Sequence, residues 1–327
     1  MREITYLQAI REGLQTLLRQ DPSVVLFGQD VGAFGGAFKV TEGLQAEFGT
    51  DRVLDTPICE SAMLGAAIGM ATQGLRPIVE LQFADFVTTA MHQLLNNAGT
   101  RHYRTGNAVP MVVRAPSGGG TGGGPFHSEE LEALFCHMPG IKVVYPAFPG
   151  DARGLLLAAV QDPNPVIYME NKVLYRSVKE RVKIHEDPTP LPLGKASICH
   201  DGDDAVVITY GAMVHEALRA VSELHVSDGY EVMVVDLRSL KPYDLDTILA
   251  ATAATGRVLV VSEGWRTCGF AAEIATAINE AAFHLLDAPV HRLTAPDVPV
   301  PFAKNLEDRY RPAAPDIAQA LRDLIEL

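Results

Sequence analysis

The sequence predicts an α/β protein of two doubly wound domains, each with a parallel sheet covered by helices on both faces. Three observations predict it. First, 327 residues are too many for one ordinary core. Second, short continuous apolar runs, typical of strands buried on both faces, alternate with helical stretches. Third, the proline-rich and charged stretch HEDPTPLPLG (185–194) interrupts this alternation, so the domains are predicted at 1–185 and 186–327.

The first domain is predicted to begin with a helix. In MREITYLQAIREGLQTLL the leucines and isoleucines recur at helical spacing with charges between them, which indicates an amphipathic helix and not a signal peptide. Five apolar runs then predict strands: VVLFG (24–28), PIVELQF (77–83), MVVRA (111–115), KVVYP (142–146) and PVIYM (165–169).

The second domain repeats the alternation of strands and helices. No apolar run in the chain approaches the roughly 20 residues of a membrane span. The chain ends in a predicted helix, PDIAQALRDLIEL. Three predicted strands precede it: AVVITYG (205–211), EVMVVDL (231–237) and RVLVVSE (257–263).

Charge and cysteine usage exclude several classes of function. The net charge of −13 repels nucleic acid and anionic membranes, so we expect neither as a partner. The four cysteines are far apart and contain no CxxC pair, so we expect neither a zinc site nor a disulfide framework. Free thiols suit a cytoplasmic protein. These cysteines are Cys59, Cys136, Cys199 and Cys268.

Glu60 lies at a predicted strand–helix junction. Small residues follow it at Gly65, Ala66, Ala67 and Gly69, and they allow another backbone to approach one face of the helix closely. Two interpretations stay open. One is a favourable acid in the first turn of a tightly packed helix. The other is a subunit interface with a buried carboxylate that faces a ligand nitrogen.

A second cluster lies where the strand at 77–83 ends. Gln82 and Phe86 are at the carboxyl end of this strand, where open α/β sheets bind their ligands. A phenyl ring at Phe86 is able to stack on a flat ligand ring. The alternative is that Phe86 belongs to the hydrophobic core, as most aromatic residues at strand ends do.

A third cluster is the glycine-rich loop in RAPSGGGTGGGPFHSEE. It contains GxGxxG, but no acidic residue follows in IKVVYPAFP as a dinucleotide site requires, and no GK[ST] follows as a P-loop requires. The loop ends at His127, and Ser128 is predicted to cap a helix. A histidine on a mobile glycine loop suggests acid–base chemistry. The alternative is an exposed loop histidine without function.

In their order and spacing, these clusters resemble the beta subunits of heterotetrameric 2-oxo acid dehydrogenases. This family includes the pyruvate, branched-chain and acetoin enzymes. The resemblance covers nearly the whole chain. The matching blocks include FGQDVGAFGGAFKVTEGL, DRVLDTPICESAMLGAAIGM, GLRPIVELQFADF, HSEELEALFCHMPGIKVVYP, VDLRSLKPYD and DVPVPFAKNLED.

The resemblance implies roles for five residues. It implies a thiamine-pyrimidine-binding first domain and a second domain like the transketolase C-terminal domain. The residue matching Glu60 bonds N1′ of the thiamine diphosphate aminopyrimidine, the residue matching Phe86 stacks on that ring, and the residue matching His127 transfers protons beside the reacting centre. Gln82 and Gln29 are expected near the cofactor, although relatives carry glutamate at the position of Gln29.

The resemblance also implies metals and partners. In some relatives a potassium site uses the carbonyls matching Ala159, Asp162 and Asn164, with Met111 and Val112 nearby. Relatives hold magnesium through a GDG motif that this chain lacks. We therefore expect an alpha subunit to hold magnesium and the diphosphate in a heterotetramer of two alpha and two beta subunits. A lipoyl acyltransferase core is the further partner expected.

The reaction implied is oxidative decarboxylation of pyruvate or a branched-chain 2-oxo acid, with reductive acylation of lipoyl-lysine. LYR at 174–176 resembles branched-chain relatives, whereas DVPVPFAKNLED resembles pyruvate relatives. Alternatives are an acetoin dehydrogenase beta subunit and a catalytically silent assembly paralogue. A nicotinamide-dependent dehydrogenase and a one-chain enzyme of the transketolase type fit the motifs less well.

Overall fold

The computed structural model describes residues 2–182 and 189–327. The chain divides into two compact units, and neither is continuous in sequence. The first comprises Met1–Ser117 and Leu134–Leu193, and the second comprises Gly118–Ala133 and Gly194–Leu327. The glycine-rich loop therefore belongs to the second unit. The stretch at 185–194 that predicted the domain junction lies partly outside the described residues.

The first unit contains six strands that all run parallel, in the order β6-β7-β5-β4-β2-β3. The five predicted strands are confirmed, with boundaries shifted by a few residues. The sheet order brings the carboxyl ends of β4, β2 and β3 side by side, at the edge where α/β proteins bind ligands. The strands are β2 (Val24–Gly28), β3 (Val53–Asp55), β4 (Arg76–Glu80), β5 (Val112–Ser117), β6 (Lys142–Val144) and β7 (Val166–Asn171).

The N-terminal helix is shorter than predicted. Residues Arg2–Thr5 form strand β1, which pairs antiparallel with β8 (Lys179–Val182), so the prediction of helix from residue 1 was wrong there. Helix α1 (Tyr6–Gln20) begins where Thr5 and Gln8 form a capping box, each side chain accepting a hydrogen bond from the other's backbone amide.

The remaining helices before the second unit's sheet connect the parallel strands. Between β4 and β5 the chain forms a 3₁₀ helix (Ala84–Ala90) and a π-helical turn (Gln93–Ala98). The α-helices are α2 (Leu44–Phe48), α3 (Glu60–Thr72), α4 (Gly99–Thr105), α5 (Glu132–His137), α6 (Pro149–Gln161) and α7 (Leu174–Ser177).

The second unit contains a five-stranded sheet in the order β14-β13-β10-β11-β9. All neighbours are parallel except β9, which runs antiparallel to β11. The three predicted strands are confirmed as β10, β11 and β13. The strands are β9 (Ser197–His200), β10 (Ala205–Thr209), β11 (Val232–Asp236), β13 (Val258–Trp265) and β14 (His291–Ala295), with a short β12 (Ser239–Lys241) outside this sheet.

Five helices accompany this sheet. The predicted C-terminal helix is confirmed as α12, whose apolar face buries Ile317, Leu321 and Leu324. None of the helices in the described ranges is long and apolar enough to cross a membrane. The helices are α8 (Ala212–Asp228), α9 (Leu245–Thr255), α10 (Phe270–Ala282), α11 (Lys304–Tyr310) and α12 (Ala314–Ile325).

Candidate active site

The carboxyl ends of β2 and β4 bring two predicted site residues to one edge of the first sheet. Gln29 directly follows β2 and is half-buried. Gln82 lies two residues beyond the end of β4, and its Nε2 is 3.4 Å from Oδ2 of Asp30. Both amides therefore lie where parallel strands end, which for Gln82 is the position that the sequence predicted.

Glu60 is the first residue of α3 and accepts a hydrogen bond there. Its Oε2 lies 3.1 Å from the hydroxyl of Thr89. The amino end of a helix favours a negative charge, so the carboxylate is well placed. In this chain Glu60 is half-buried, and Ala66 and Gly69 on the same helix are exposed. Ala67 is buried, so the small residues of α3 are uncovered only in part.

Thr89 also connects Glu60 to the backbone of Phe86. The Thr89 hydroxyl is 3.0 Å from the carbonyl oxygen of Phe86, one turn earlier on the 3₁₀ helix. The Phe86 ring is half-buried and packs edge-on against Phe83, with ring centroids 5.6 Å apart. Phe86 is therefore not a fully buried core residue. The structure brings together a carboxylate, a hydroxyl and an aromatic ring at one sheet edge.

A buried charge network lies in the strands directly behind this edge. The Arg114 side chain on β5 is fully buried and donates to Glu170 on β7 at 2.6 and 2.8 Å, and to Glu80 at the end of β4. Tyr175 donates its hydroxyl proton to Glu170 at 2.7 Å. Sequence analysis missed this network, although the charged residues within apolar runs were a signal that pointed to it.

The network holds two acids and one arginine, so it is neutral only if one acid keeps a proton. Burial raises the pKa of Glu80, and the nearby Arg114 offsets this effect only in part. Burial tends to lower the pKa of Arg114, but the two glutamates more than compensate and raise it. Glu170 already accepts three hydrogen bonds from Arg114 and Tyr175. Burial therefore favours the protonated form of Glu80 over its charged form.

In the second unit, carboxylates hold the glycine-rich loop through its backbone. The amide of Gly119 donates to Glu263 at 2.6 Å. The amides of Gly120 and Gly122 donate to the two oxygens of Glu307 at 2.8 and 3.0 Å. We expected a mobile glycine loop, and sequence analysis did not foresee these distant carboxylates.

His127 follows a single 3₁₀ turn, Gly124–Phe126, and is half-buried. Its Nδ1 is 3.3 Å from the carbonyl oxygen of Gly123. Ser128 is buried but does not cap a helix, because α5 begins only at Glu132. That part of the prediction was wrong. His127 belongs to the second unit, whereas Glu60 belongs to the first.

Residues predicted to hold potassium lie around the carboxyl end of α6. Asp162 caps this helix, and its amide is 3.3 Å from the carbonyl oxygen of Ala159. The Asp162 carboxylate accepts from the backbone amide of Asn164 at 2.9 Å and pairs with Lys142. Directly before β5, the carbonyl of Met111, next to Val112, accepts from the Val166 amide at 2.9 Å. The end of a helix favours a cation, but Lys142 already supplies one positive charge.

Two family models match the chain. Transketolase, pyrimidine binding domain, matches residues 2–178, and Transketolase, C-terminal domain, matches residues 194–317. Among the described residues, no group of three or more histidine, cysteine or acidic side chains could hold a metal ion.

Curated relatives match over the full length of both chains. The pyruvate dehydrogenase E1 component subunit beta of Bacillus subtilis is 43% identical over 328 residues. The 2-oxoisovalerate dehydrogenase subunit beta of the same organism is 43% identical over 329 residues. A pyruvate dehydrogenase E1 component subunit beta of Staphylococcus aureus is 41% identical over 328 residues. All three alignments cover 100% of this chain and of the relative.

A solved structure described as a split gene transketolase, inactive beta4 tetramer, is similar with a TM-score of 0.78. The match covers 99% of each chain at 23% sequence identity, which supports the fold alone.

Proposed function

This chain belongs to the beta subunits of 2-oxo acid dehydrogenases, and on this basis we propose that it supplies the pyrimidine side of a thiamine-diphosphate site that an alpha subunit completes. The observation that carries the proposal is the grouping of Glu60, Thr89 and Phe86 at the carboxyl edge of the first sheet. This edge is where α/β folds place their ligands.

The side chains at this edge fit an aminopyrimidine. A carboxylate at the amino end of a helix is able to share a proton with a ring nitrogen, and a half-exposed phenyl ring offers a stacking surface. When bound, thiamine diphosphate supplies the carbanion chemistry for decarboxylation of a 2-oxo acid. Glu60 would hold the ring-nitrogen proton, and Phe86 would orient the ring. Gln29 and Gln82 would contribute neutral amides beside it.

His127 is proposed as the residue that delivers a proton when the acyl group passes to lipoyl-lysine. A thiolate must be protonated when the dithiolane ring opens, and histidine is suited to this step at neutral pH. The half-buried imidazole on an anchored loop supports the proposal. The lipoyl acyltransferase core would be the partner that presents this group.

The alpha subunit is proposed to hold the diphosphate and magnesium in a heterotetramer of two alpha and two beta subunits. This proposal is supported by the absence of a GDG motif from the sequence. Potassium at the carboxyl end of α6, through the carbonyls around Ala159 and Asp162, is a further proposal. The four free cysteines support a cytoplasmic location.

An experiment is needed to identify the 2-oxo acid substrate. The pyruvate dehydrogenase and 2-oxoisovalerate dehydrogenase subunits of Bacillus subtilis have the same sequence identity to this chain, so identity does not distinguish the two substrates. The chain should be co-expressed with its alpha partner. Three activities of the complex should then be compared: decarboxylation of pyruvate, decarboxylation of 2-oxoisovalerate, and cleavage of acetoin. Turnover of a 2-oxo acid supports the proposal. Cleavage of acetoin alone would favour the acetoin enzyme, and no turnover with an intact complex would favour the silent paralogue.

The role of Glu60 is tested by Glu60→Gln in the assembled complex. A neutral amide cannot share the ring proton, so we expect decarboxylation to fall by roughly 10²–10⁴-fold while assembly is retained. Thr89→Val should cause a smaller loss, because it removes the hydroxyl that contacts Glu60 and the Phe86 carbonyl but leaves the Glu60 carboxylate in place. The matched control is Glu42→Gln, an exposed glutamate of the same unit. Near-normal turnover of Glu60→Gln would refute the assignment.

A further inference from the structure

We propose that Glu307 is a positioning residue for His127, because its carboxylate fixes the glycine-rich loop from which the imidazole projects. The inference rests on the proposed function for the role of His127 itself. The carboxylate of Glu307 accepts from the amides of Gly120 and Gly122, one on each oxygen. A carboxylate that spans two amides of one loop limits both the position and the orientation of that loop.

The Glu307 carboxylate depends on the loop for its own stabilisation. Its residue is 1% exposed, and among the described residues no ion pair includes it. A buried carboxylate without a cation is costly unless hydrogen bonds satisfy it. The two loop amides satisfy Glu307, so the loop and the carboxylate stabilise each other through charge-assisted hydrogen bonds.

The backbone of the loop is shaped to bind an anion. Gly118, Gly120, Gly122 and Gly124 all have positive φ, between 64° and 84°, and alternate with other residues. Such alternation turns successive amides towards one side and forms a concave anion site. Here the anion is a carboxylate from the same unit and not a phosphate. This explains why the loop contains GxGxxG without the other residues of a nucleotide site.

The same C-terminal segment supports the part of the loop that leads to His127. A Cβ atom at Gly124 would lie 2.3 Å from the Phe302 ring, so that ring packs directly against the loop backbone. Phe302 lies two residues before α11, and Glu307 lies in the first turn of this helix. Two contacts from one segment thus hold the loop on both sides of Gly123, whose carbonyl oxygen is 3.3 Å from the His127 ring.

Glu263 makes a second anchor of a different kind. It accepts from Gly119 and also forms an ion pair with Arg311 at 2.7 Å. Because a substitution of Glu263 also breaks this buried ion pair, Glu307 is the cleaner position for an experiment.

The first test is hydrogen exchange of the loop amides in the assembled complex carrying Glu307→Gln. Glutamine keeps one oxygen acceptor but turns an NH₂ group towards the second loop amide, so one hydrogen bond is lost. We expect exchange at Gly120 and Gly122 to become roughly tenfold faster or more. The matched control is Asp308→Asn, which removes the same charge from the next residue of α11, where the carboxylate pairs with the exposed Lys304.

The second test is the pair of activity assays on the same complexes. Glu307→Gln should lower kcat for lipoyl acylation several-fold, leave the KM for the 2-oxo acid unchanged, and affect decarboxylation to an artificial electron acceptor less. A purely structural role would not separate the two assays. Glu307→Asp, which retains the carboxylate, should restore part of the acylation rate.

Three outcomes would overturn the inference. They are unchanged exchange at the loop in a folded Glu307→Gln complex, equal effects of Glu307→Gln and Asp308→Asn, and faster exchange with no change in acylation. If Glu307→Gln does not assemble, the exchange comparison is made between Glu307→Asp and Asp308→Asn. Failure of the proposed function would be read separately, from the activity assays on His127→Ala, because exchange at Gly120 and Gly122 reports the Glu307 anchor and not proton delivery.

Discussion

Replacement of Arg114 by methionine tests the buried charge network most directly. Methionine retains much of the length and apolar stem of arginine but removes the guanidinium. Glu80 and Glu170, which are at most 3% exposed, would then remain buried without a cation. The Tyr175 hydroxyl is the described donor that would remain for Glu170.

The expected loss of stability follows from this geometry. Removal of one partner from a buried ion pair costs about 3–5 kcal/mol, because the remaining charge is not compensated. Three hydrogen bonds from Arg114 to two carboxylates are lost together, so we expect the upper part of this range. For a unit of about 150–250 residues, each kcal/mol lowers the melting temperature by about 2–4 °C. The predicted decrease is therefore about 8–20 °C.

The assay is the apparent unfolding midpoint, measured at one fixed scan rate because large proteins often unfold irreversibly. Arg19→Met is the control, since Arg19 forms an exposed ion pair with Glu47 in the same unit. Exposed pairs contribute about 0–1 kcal/mol, so the control should move the midpoint by a few degrees at most. A similar midpoint for Arg114→Met and Arg19→Met would refute the reasoning.

Three further predictions concern single positions. The pKa of Glu80 is raised in the folded state, so its favourable contribution to the free energy of unfolding is present below the unfolded pKa and is lost as pH rises. Glu80→Gln should therefore become more stable relative to wild type as the pH is raised from 4 to 8, measured by urea titrations at each pH. Gly140→Ala should destabilise the chain by more than Gly106→Ala in the same titration. Both glycines have positive φ, but a Cβ at Gly140 would lie 1.9 Å from the backbone oxygen of Gly99, whereas a Cβ at Gly106 would meet no atom within 4 Å. His127→Ala should reduce lipoyl acylation more than decarboxylation to an artificial acceptor, and equal losses in the two assays would contradict the proposed proton delivery.

The strands that sequence analysis predicted share one property. Each of them lies inside a sheet with both faces covered, so its apolar run is continuous and easy to read. The missed strands are short or half-exposed. In β14 four of five residues retain solvent exposure, and β1 has two exposed residues, so neither forms an apolar run. Their pairing depends on distant segments, which local sequence patterns do not reveal.

Local sequence patterns also limit what could be predicted of the candidate site. Glu60 and Phe86 were recognised from local motifs, but the Thr89 hydroxyl that connects them was not, because it depends on how the 3₁₀ helix meets α3. The contacts of Glu307 with the loop join residues more than 180 positions apart, and no local motif predicts them.

That separation also affects how the protein is made. Gly120 leaves the ribosome 187 residues before Glu307. At about 5–20 residues per second, the interval between synthesis of the loop and synthesis of the Glu307 carboxylate is roughly 10–40 s. During this interval the first unit is synthesised to its end at Leu193, before the Glu307 carboxylate is available to the glycine segment. Translation therefore supplies all residues of the first sheet early, and it supplies the Glu307 anchor of the histidine loop only with the last tenth of the chain.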